Sequence, residues 1–206
     1  MKFTQLLFYP ALLLFALSCG QTATEQESET TTETTETTET VDPEANGAPY
    51  TITVLNADLP SPRKEMTGSI DGVDITINYG SPSVRGRTVW DGLVPYDKVW
   101  RSGANEATTI ALSGDAQIEG ETLVAGRYSL FTIPGEKSWT IIFNSVPDQW
   151  GNFEYDESKD VLRVKTKLEK KSENAEQMDF LIEGNSIVLL WEKIAVPFEV
   201  ATAASK

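Results

Sequence analysis

Alternating apolar and polar residues recur between residues 50 and 200 and predict β-strands. In segments 73–79 and 162–168 nearly every second residue is apolar or aromatic. Segments 51–55 and 109–112 are rich in β-branched residues, which favour extended structure. Several short strands separated by turn residues are typical of all-β domains.

Two pairs of strand-like segments are joined by tight-turn sequences and predict β-hairpins. Pro134-Gly135 divides the first, residues 126–144, and Glu183-Gly184-Asn185 divides the second, residues 180–191. Residues 170–178 have a composition compatible with a helix but no apolar stripe. The pattern predicts an all-β fold for residues 50–200, a single β-sandwich or partly closed barrel.

The N-terminal segment has a different apolar pattern, that of a lipoprotein signal peptide over residues 1–18. Lys2 precedes an apolar run over 6–17, which is too short to span a bilayer. Ser18-Cys19-Gly20 follows and matches the lipobox, although Ala16 stands where a leucine is preferred. We expect cleavage before Cys19 and its acylation, with ordinary secretion as the alternative.

Residues 19–49 are predicted to be a disordered acidic tether carrying the lipidated cysteine. Their centre, residues 29–40, is a repeat of threonine and glutamate with nothing apolar to bury. A short C-terminal tail over 201–206 follows the domain. The order of segments predicts a protein of the cell envelope, anchored to a membrane, with the outer membrane as the expected site. Whether the domain faces the periplasm or the cell surface stays open.

The net charge of the chain limits the classes of partner that it is expected to bind. The chain has a formal charge of −14 at pH 7, and residues 20–62 contain no basic residue before Arg63. An acidic chain is repelled by nucleic-acid phosphates, so no nucleic-acid partner is expected. Anionic lipid is bound by basic patches, so contact with the bilayer is assigned to the acyl chains on Cys19.

Composition also excludes several kinds of catalytic site. The chain has no histidine and a single cysteine, which excludes a Ser-His-Asp triad, a histidine-ligated metal and, after lipidation, a cysteine nucleophile. These absences argue against an enzyme, and no metal or cofactor is predicted. Asp156, Ser158 and Asp160 have the spacing of a calcium-loop opening but lack its glycine and distal glutamate, which favours an exposed turn.

The segment 79–109 carries the candidate functional residues. It is long and irregular, and it combines two tryptophans with three arginines. Aromatic faces beside hydrogen-bonding side chains are typical of sugar or peptide pockets. The predicted ligand-binding residues are Arg87, Tyr96, Trp100, Arg101, Asn105 and Glu106. In a structural alternative, Trp90 and Trp100 plug the end of the sandwich, and Arg101 pairs with Glu106 or Asp97.

Several short runs in the folded segment form a recognisable set. The most specific is Trp100-Arg101-Ser102-Gly103-Ala104-Asn105-Glu106. The others are Ser61-Pro62-Arg63, 79–87, 92–96, 125–130, 133–135, 139–143 and 149–151. Together these runs resemble the domain-of-unknown-function 2911 family of Bacteroidota. The resemblance implies one lipoprotein-type domain over nearly all of the folded segment. It implies no activity and no catalytic residue.

Three functions are compatible with these features. The leading hypothesis is a non-catalytic envelope module that binds a glycan, a peptide or an envelope protein through the 79–109 segment. The second is a carboxylate-dependent hydrolase of glycans that uses a residue such as Glu106 or Asp91. The third is a purely structural envelope protein with no pocket for a small molecule.

Overall fold

The computed structural model describes residues 40–41 and 49–203, which form two antiparallel β-sheets. The large sheet has eight strands in the order β1-β2-β3-β4-β5-β8-β9-β10. Its strands are β1 (Thr40–Val41), β2 (Tyr50–Asn56), β3 (Arg63–Ile70), β4 (Val73–Gly80), β5 (Thr108–Leu112), β8 (Gly126–Ile133), β9 (Ser138–Asn144) and β10 (Asp160–Lys167). The small sheet has the order β11-β12-β6-β7, with β6 (Ala116–Ile118), β7 (Glu121–Leu123), β11 (Glu169–Glu183) and β12 (Ser186–Thr202).

The main hydrophobic core lies between the two sheets. On β4, Val73 and Ile75 are buried while Asp74 between them is exposed. They share a core with residues of the small sheet such as Leu189 and Phe198. The predicted all-β fold is confirmed, and of the two forms predicted it is the sandwich, because β1 and β10 remain as open edges of the large sheet.

Both predicted hairpins are confirmed. Strands β8 and β9 pair from Ser129↔Asn144 to Ile133↔Thr140, and β11 and β12 pair up to Glu183↔Ser186. The helix-compatible residues 170–178 lie within β11, where two register shifts accommodate them. Pairing with β12 outweighs their local preference, as tertiary context commonly does.

Strands β8 and β9 are buried on both faces, which explains why residues 139–143 read as a nearly continuous apolar run. Phe131 and Ile142 face away from the main core and form a second, smaller cluster. The segment that follows β9 covers this cluster, and its Tyr155 ring packs edge-on against Phe131 at 4.9 Å between centroids. A backbone hydrogen bond holds this segment in place, since the Ala107 amide donates to the Gln149 carbonyl at 3.0 Å.

The signal peptide, Cys19 and most of the predicted tether lie outside the described residues. Two tether residues, Thr40 and Val41, pair with Thr53 and Ile52 of β2. Within the part of the chain that is described, no helix has the length and apolarity needed to cross a membrane.

The 81–107 loop, which joins β4 to β5, contacts both sheets. At its start Ser83 bridges to Gln177 on β11, and near its end Trp100 bridges to Thr132 on β8. The Trp100 and Thr132 backbones exchange hydrogen bonds of 2.8 and 2.9 Å. The loop is therefore held at both sheets, and it brings its aromatic residues to the side chains of β9 and β12.

Candidate functional site

Four tryptophans from distant parts of the chain form one cluster. The 81–107 loop contributes Trp90 and Trp100, β9 contributes Trp139, and β12 contributes Trp191. Trp90 lies 5.0 Å from Trp139 and 5.6 Å from Trp191 between ring centroids, in edge-to-face contact. Trp100 stacks on Trp191 at 6.0 Å with 20° between the ring planes. Such contacts add to the stabilisation that comes from burying the rings.

Three of the four indole N–H groups have no hydrogen-bond acceptor. The Nε1 atoms of Trp90, Trp139 and Trp191 are buried and unpartnered in the described structure. Trp100 differs, because its Nε1 donates to the Gly103 carbonyl at 3.1 Å. A buried donor left without an acceptor costs about 1–3 kcal/mol. Three such donors within one cluster are unusual for a purely structural core.

A groove of about 630 Å³ opens beside this cluster, and we call it the Trp groove. Aromatic side chains of Trp90, Trp139 and Tyr96 form part of its wall. The remaining lining residues come from the β8–β9 turn, from the junction of β10 with the start of β11, and from β12: Gly135, Glu136, Lys137, Leu168, Lys170 and Ile194. The groove therefore offers an apolar aromatic surface, and the unpartnered Trp90 and Trp139 N–H groups are buried within the side chains that form its wall.

Both signs of charge surround the Trp groove. Lys137 and Lys170 line it, and neither forms an ion pair with a described carboxylate. Burial raises the pKa of Tyr96, and the nearby carboxylates Glu136, Asp91 and Glu192 raise it further. The phenol therefore stays protonated at neutral pH, available as a hydrogen-bond donor.

The structure separates the predicted ligand-binding residues. Tyr96 is half-buried in the wall of the Trp groove, whereas Trp100 is only 8% exposed and packs inside the cluster. The position of Trp100 matches the structural alternative, in which this side chain plugs the sandwich. Trp90 packs in the same cluster and also lines the groove.

Arg101 is half-buried and does not form either of the ion pairs in the structural alternative. Its Nε is buried without a partner, and burial lowers the pKa of its guanidinium. Glu106 instead contacts Arg63, at 3.5 Å between Nη1 and Oε2. Glu106 and Asp91, the carboxylates named for the hydrolase alternative, thus have different neighbours. Glu106 contacts Arg63, whereas Asp91 is near Tyr96 and contributes to raising the pKa of its phenol.

The other predicted residues make local contacts. Asn105 donates from Nδ2 to the Ser61 carbonyl at 3.4 Å. Arg87 donates to the Val84 and Ser83 carbonyls of its own loop. Asp156 caps the 3-10 turn Glu157–Lys159 by accepting from the Ser158 amide, so the calcium-like spacing forms a turn.

Several residues that line the Trp groove were not predicted as ligand-binding residues from the sequence. Trp139 begins a nearly continuous apolar run and Ile194 begins another short apolar stretch, so both have the pattern of core residues. Lys137 and Lys170 are ordinary charged residues beside a turn and at a strand start. Nothing in their local spacing marks them, because the groove is assembled from segments far apart in sequence.

Comparison with protein families supplies one match. The family model described as "Protein of unknown function (DUF2911)" matches residues 61–200, which cover nearly all of the sandwich. Comparisons with curated proteins and with solved structures gave no match. The chain therefore belongs to the DUF2911 family.

Proposed function

We propose that the domain is a non-catalytic binding module whose ligand occupies the Trp groove. The observation that carries the proposal is an accessible cavity walled by the aromatic side chains of Trp90, Tyr96 and Trp139. A ligand with hydrogen-bond acceptors and a flat apolar face would stack on this wall and bond to polar groups of the lining such as the Tyr96 hydroxyl. Glycans and peptides of the cell envelope have this chemistry.

Charge at the groove supports a ligand of mixed polarity. Lys137 and Lys170 supply free ammonium groups, while Glu136 supplies a carboxylate. Polar groups of this kind fix the orientation of a ligand whose apolar face is held by the aromatic rings.

The test is calorimetric titration of the full chain with panels of envelope glycans and peptides. We expect saturable binding that Tyr96→Ala weakens about tenfold, because Tyr96 supplies both ring surface and a hydroxyl donor. Leu93→Ala is the matched control, since Leu93 is exposed in the same loop and does not line the groove.

Three outcomes would contradict this function. Binding to neither panel would remove its basis, and binding that is unchanged by Tyr96→Ala would place the ligand elsewhere. Turnover of a glycan that Glu106→Gln abolishes would favour the hydrolase instead.

We also propose that Cys19 is acylated and tethers the domain to a membrane of the cell envelope. Support comes from Ser18-Cys19-Gly20 behind a short apolar segment and from the acidic, low-complexity residues that follow.

A further inference from the structure

A second, smaller pocket lies where the segment after β9 meets the ends of β3 and β5. Its volume is about 230 Å³, and we call it the Trp150 pocket. Its polar and aromatic lining consists of Arg63, Glu106, Thr109, Asp148, Gln149 and Trp150. None of them lines the Trp groove, so the two sites are distinct.

Gln149 lines this pocket, and its side-chain oxygen is a buried acceptor without a partner. The side chain is 7% exposed, and its Nε2 donates to Asn144 Oδ1 at 3.0 Å and to the Val146 carbonyl at 2.6 Å. Both of those atoms can only accept, so the amide orientation is fixed. The Oε1 atom is left buried without a partner.

The orientation of Asn144 is fixed in turn. Its Nδ2 donates to the Asp156 carbonyl at 2.9 Å and to Asp160 Oδ1 at 2.8 Å, which turns its Oδ1 toward Gln149. The unpartnered oxygen of Gln149 is therefore the end of an ordered hydrogen-bond chain. Buried acceptors nearly always have a hydrogen-bond donor, which here would be supplied by a ligand or by solvent.

The rest of the pocket combines donors and acceptors, and its charges balance once Arg127, which pairs with Asp148 from outside the lining, is counted. Arg63 Nη1 lies 3.5 Å from Glu106 Oε2, which is long for an ion pair. The guanidinium can therefore still donate hydrogen bonds to a ligand, and the carboxylate can still accept them. Asp148 is already engaged, since Arg127 donates to both of its oxygens at 2.8 and 2.9 Å. The free groups are thus one guanidinium, one carboxylate and one amide oxygen.

Trp150 supplies a flat apolar platform at the pocket. It is 57% exposed, and its backbone amide is held by Glu154 Oε2 at 2.7 Å. The adjacent Gln149 carbonyl accepts from Ala107, so the loop that carries the ring is fixed to the scaffold. A platform ordered in advance loses little entropy on binding.

We propose that the Trp150 pocket binds one ring of a neutral saccharide. A sugar hydroxyl both donates and accepts, so neighbouring hydroxyls pair with Arg63 and Glu106 together, and another donates to Gln149 Oε1. The C–H face of the ring stacks on Trp150. A fully anionic ligand would leave Glu106 and the Gln149 oxygen unpaired, and a fully cationic one would leave Arg63 unpaired.

The test uses the full chain and its five tryptophan indole N–H signals in nitrogen–proton NMR spectra. Trp150→Ala assigns the signal of Trp150. The probes are glucose, galactose, mannose, N-acetylglucosamine and their methyl glycosides, with N-acetylglycinamide as a peptide mimic. We expect a saturable shift of the Trp150 signal with at least one sugar and none with the peptide mimic.

Two variants complete the experiment. Glu106→Gln keeps the shape of the side chain and is expected to weaken sugar binding about tenfold. Phe153→Ala is the matched control and is expected to leave binding unchanged, because Phe153 is 86% exposed on the same loop and does not line the pocket.

The proposal is overturned by a Trp150 signal that no sugar moves, by binding that Glu106→Gln leaves intact, or by an equal response to N-acetylglycinamide. Sugar-dependent shifts confined to Trp90 and Trp139 also overturn it and instead support binding in the Trp groove. Ligand binding at the Trp150 pocket and at the Trp groove is thus measured separately.

Discussion

Lys64, Tyr79 and Asp179 form a polar cluster that links the two sheets. Lys64 Nζ lies 2.7 Å from Asp179 Oδ1, and the Tyr79 hydroxyl donates to the same oxygen at 2.8 Å. Lys64 and Tyr79 belong to β3 and β4, whereas Asp179 belongs to β11. A buried ion pair contributes little net stability, but removing one partner leaves an uncompensated charge. We therefore expect the cluster to specify how the two sheets pack more than it adds to stability.

Tyr79 makes the stability of the domain sensitive to alkaline pH. Burial raises the pKa of its phenol above the ordinary value of 10.0, and the Asp179 carboxylate raises it further. Below pH 10 the phenol is protonated in both the folded and the unfolded chain. Above pH 10 only the unfolded chain releases the proton, so this group lowers the free energy of unfolding as pH rises.

We expect Tyr79→Phe to reduce that alkaline loss. The variant should lose about 1 kcal/mol at pH 7 with the hydrogen bond to Asp179. Above pH 10 its free energy of unfolding should fall less steeply than that of the wild type, by up to about 1.4 kcal/mol per pH unit. Urea unfolding at pH 7 and across pH 10–11 measures both effects. Parallel curves for the two proteins above pH 10 would contradict the assignment.

Among the elements, the 81–107 loop depends on a close approach to the end of β4. The Ala104 amide donates to the Gly80 carbonyl at 3.1 Å. A Cβ atom on Gly80 would lie 2.1 Å from the Ala104 carbonyl oxygen, so only glycine permits this contact. Five of the eight non-glycine residues with positive φ in the described chain also lie in this loop: Arg85, Asp91, Asp97, Ser102 and Asn105.

Gly80→Ala should therefore displace the loop and destabilise the domain. We expect a loss of about 3 kcal/mol in the free energy of unfolding, because backbone rather than a flexible side chain must move. Gly114→Ala is the matched control: the nearest atom to its added Cβ is a Val73 methyl at 3.9 Å, and no loss is expected. Equal stability of the two variants, measured by urea unfolding, would show that the loop tolerates displacement.

Elements differ in how far local sequence predicts them. β4 follows period-two alternation because only one of its faces meets the core. β8 and β9 break that alternation because the segment after β9 buries their outer face, where Phe131 and Ile142 form the second cluster. β11 carries a helix-compatible composition that cross-strand pairing overrides. Alternation predicts a strand only where one face is left to solvent.

At the scale of the whole molecule, the net charge determines how the chain could attach to a membrane. The formal charge of −14 makes attachment of the bare chain to anionic lipid unfavourable. Membrane attachment in our proposal therefore depends entirely on acylation at Cys19.

Cys19→Ala should abolish membrane attachment. We expect labelled palmitate on the wild type and none on the variant, with the variant recovered away from the membrane fraction. Protease treatment of intact cells then reports which face carries the domain. A wild-type chain that takes up no labelled palmitate would rule out the anchor.

The all-β fold, its two main hairpins and the exclusion of chemistry that needs a histidine of this chain followed from the sequence alone. Turn residues and alternation are local, and the absence of a residue type holds in any fold. The same local reasoning selected the 79–109 segment, and Tyr96 within it, as candidates for ligand binding.

Tertiary structure alone decided how the candidate residues are grouped. It placed Trp100 inside a four-tryptophan cluster, separated Glu106 from Tyr96, and brought Trp139 and Lys170 to one groove. These contacts depend on strand order and on how the 81–107 loop crosses between sheets. Side chains distant in sequence meet only when the sheets pack, so no local pattern encodes which of them share a site.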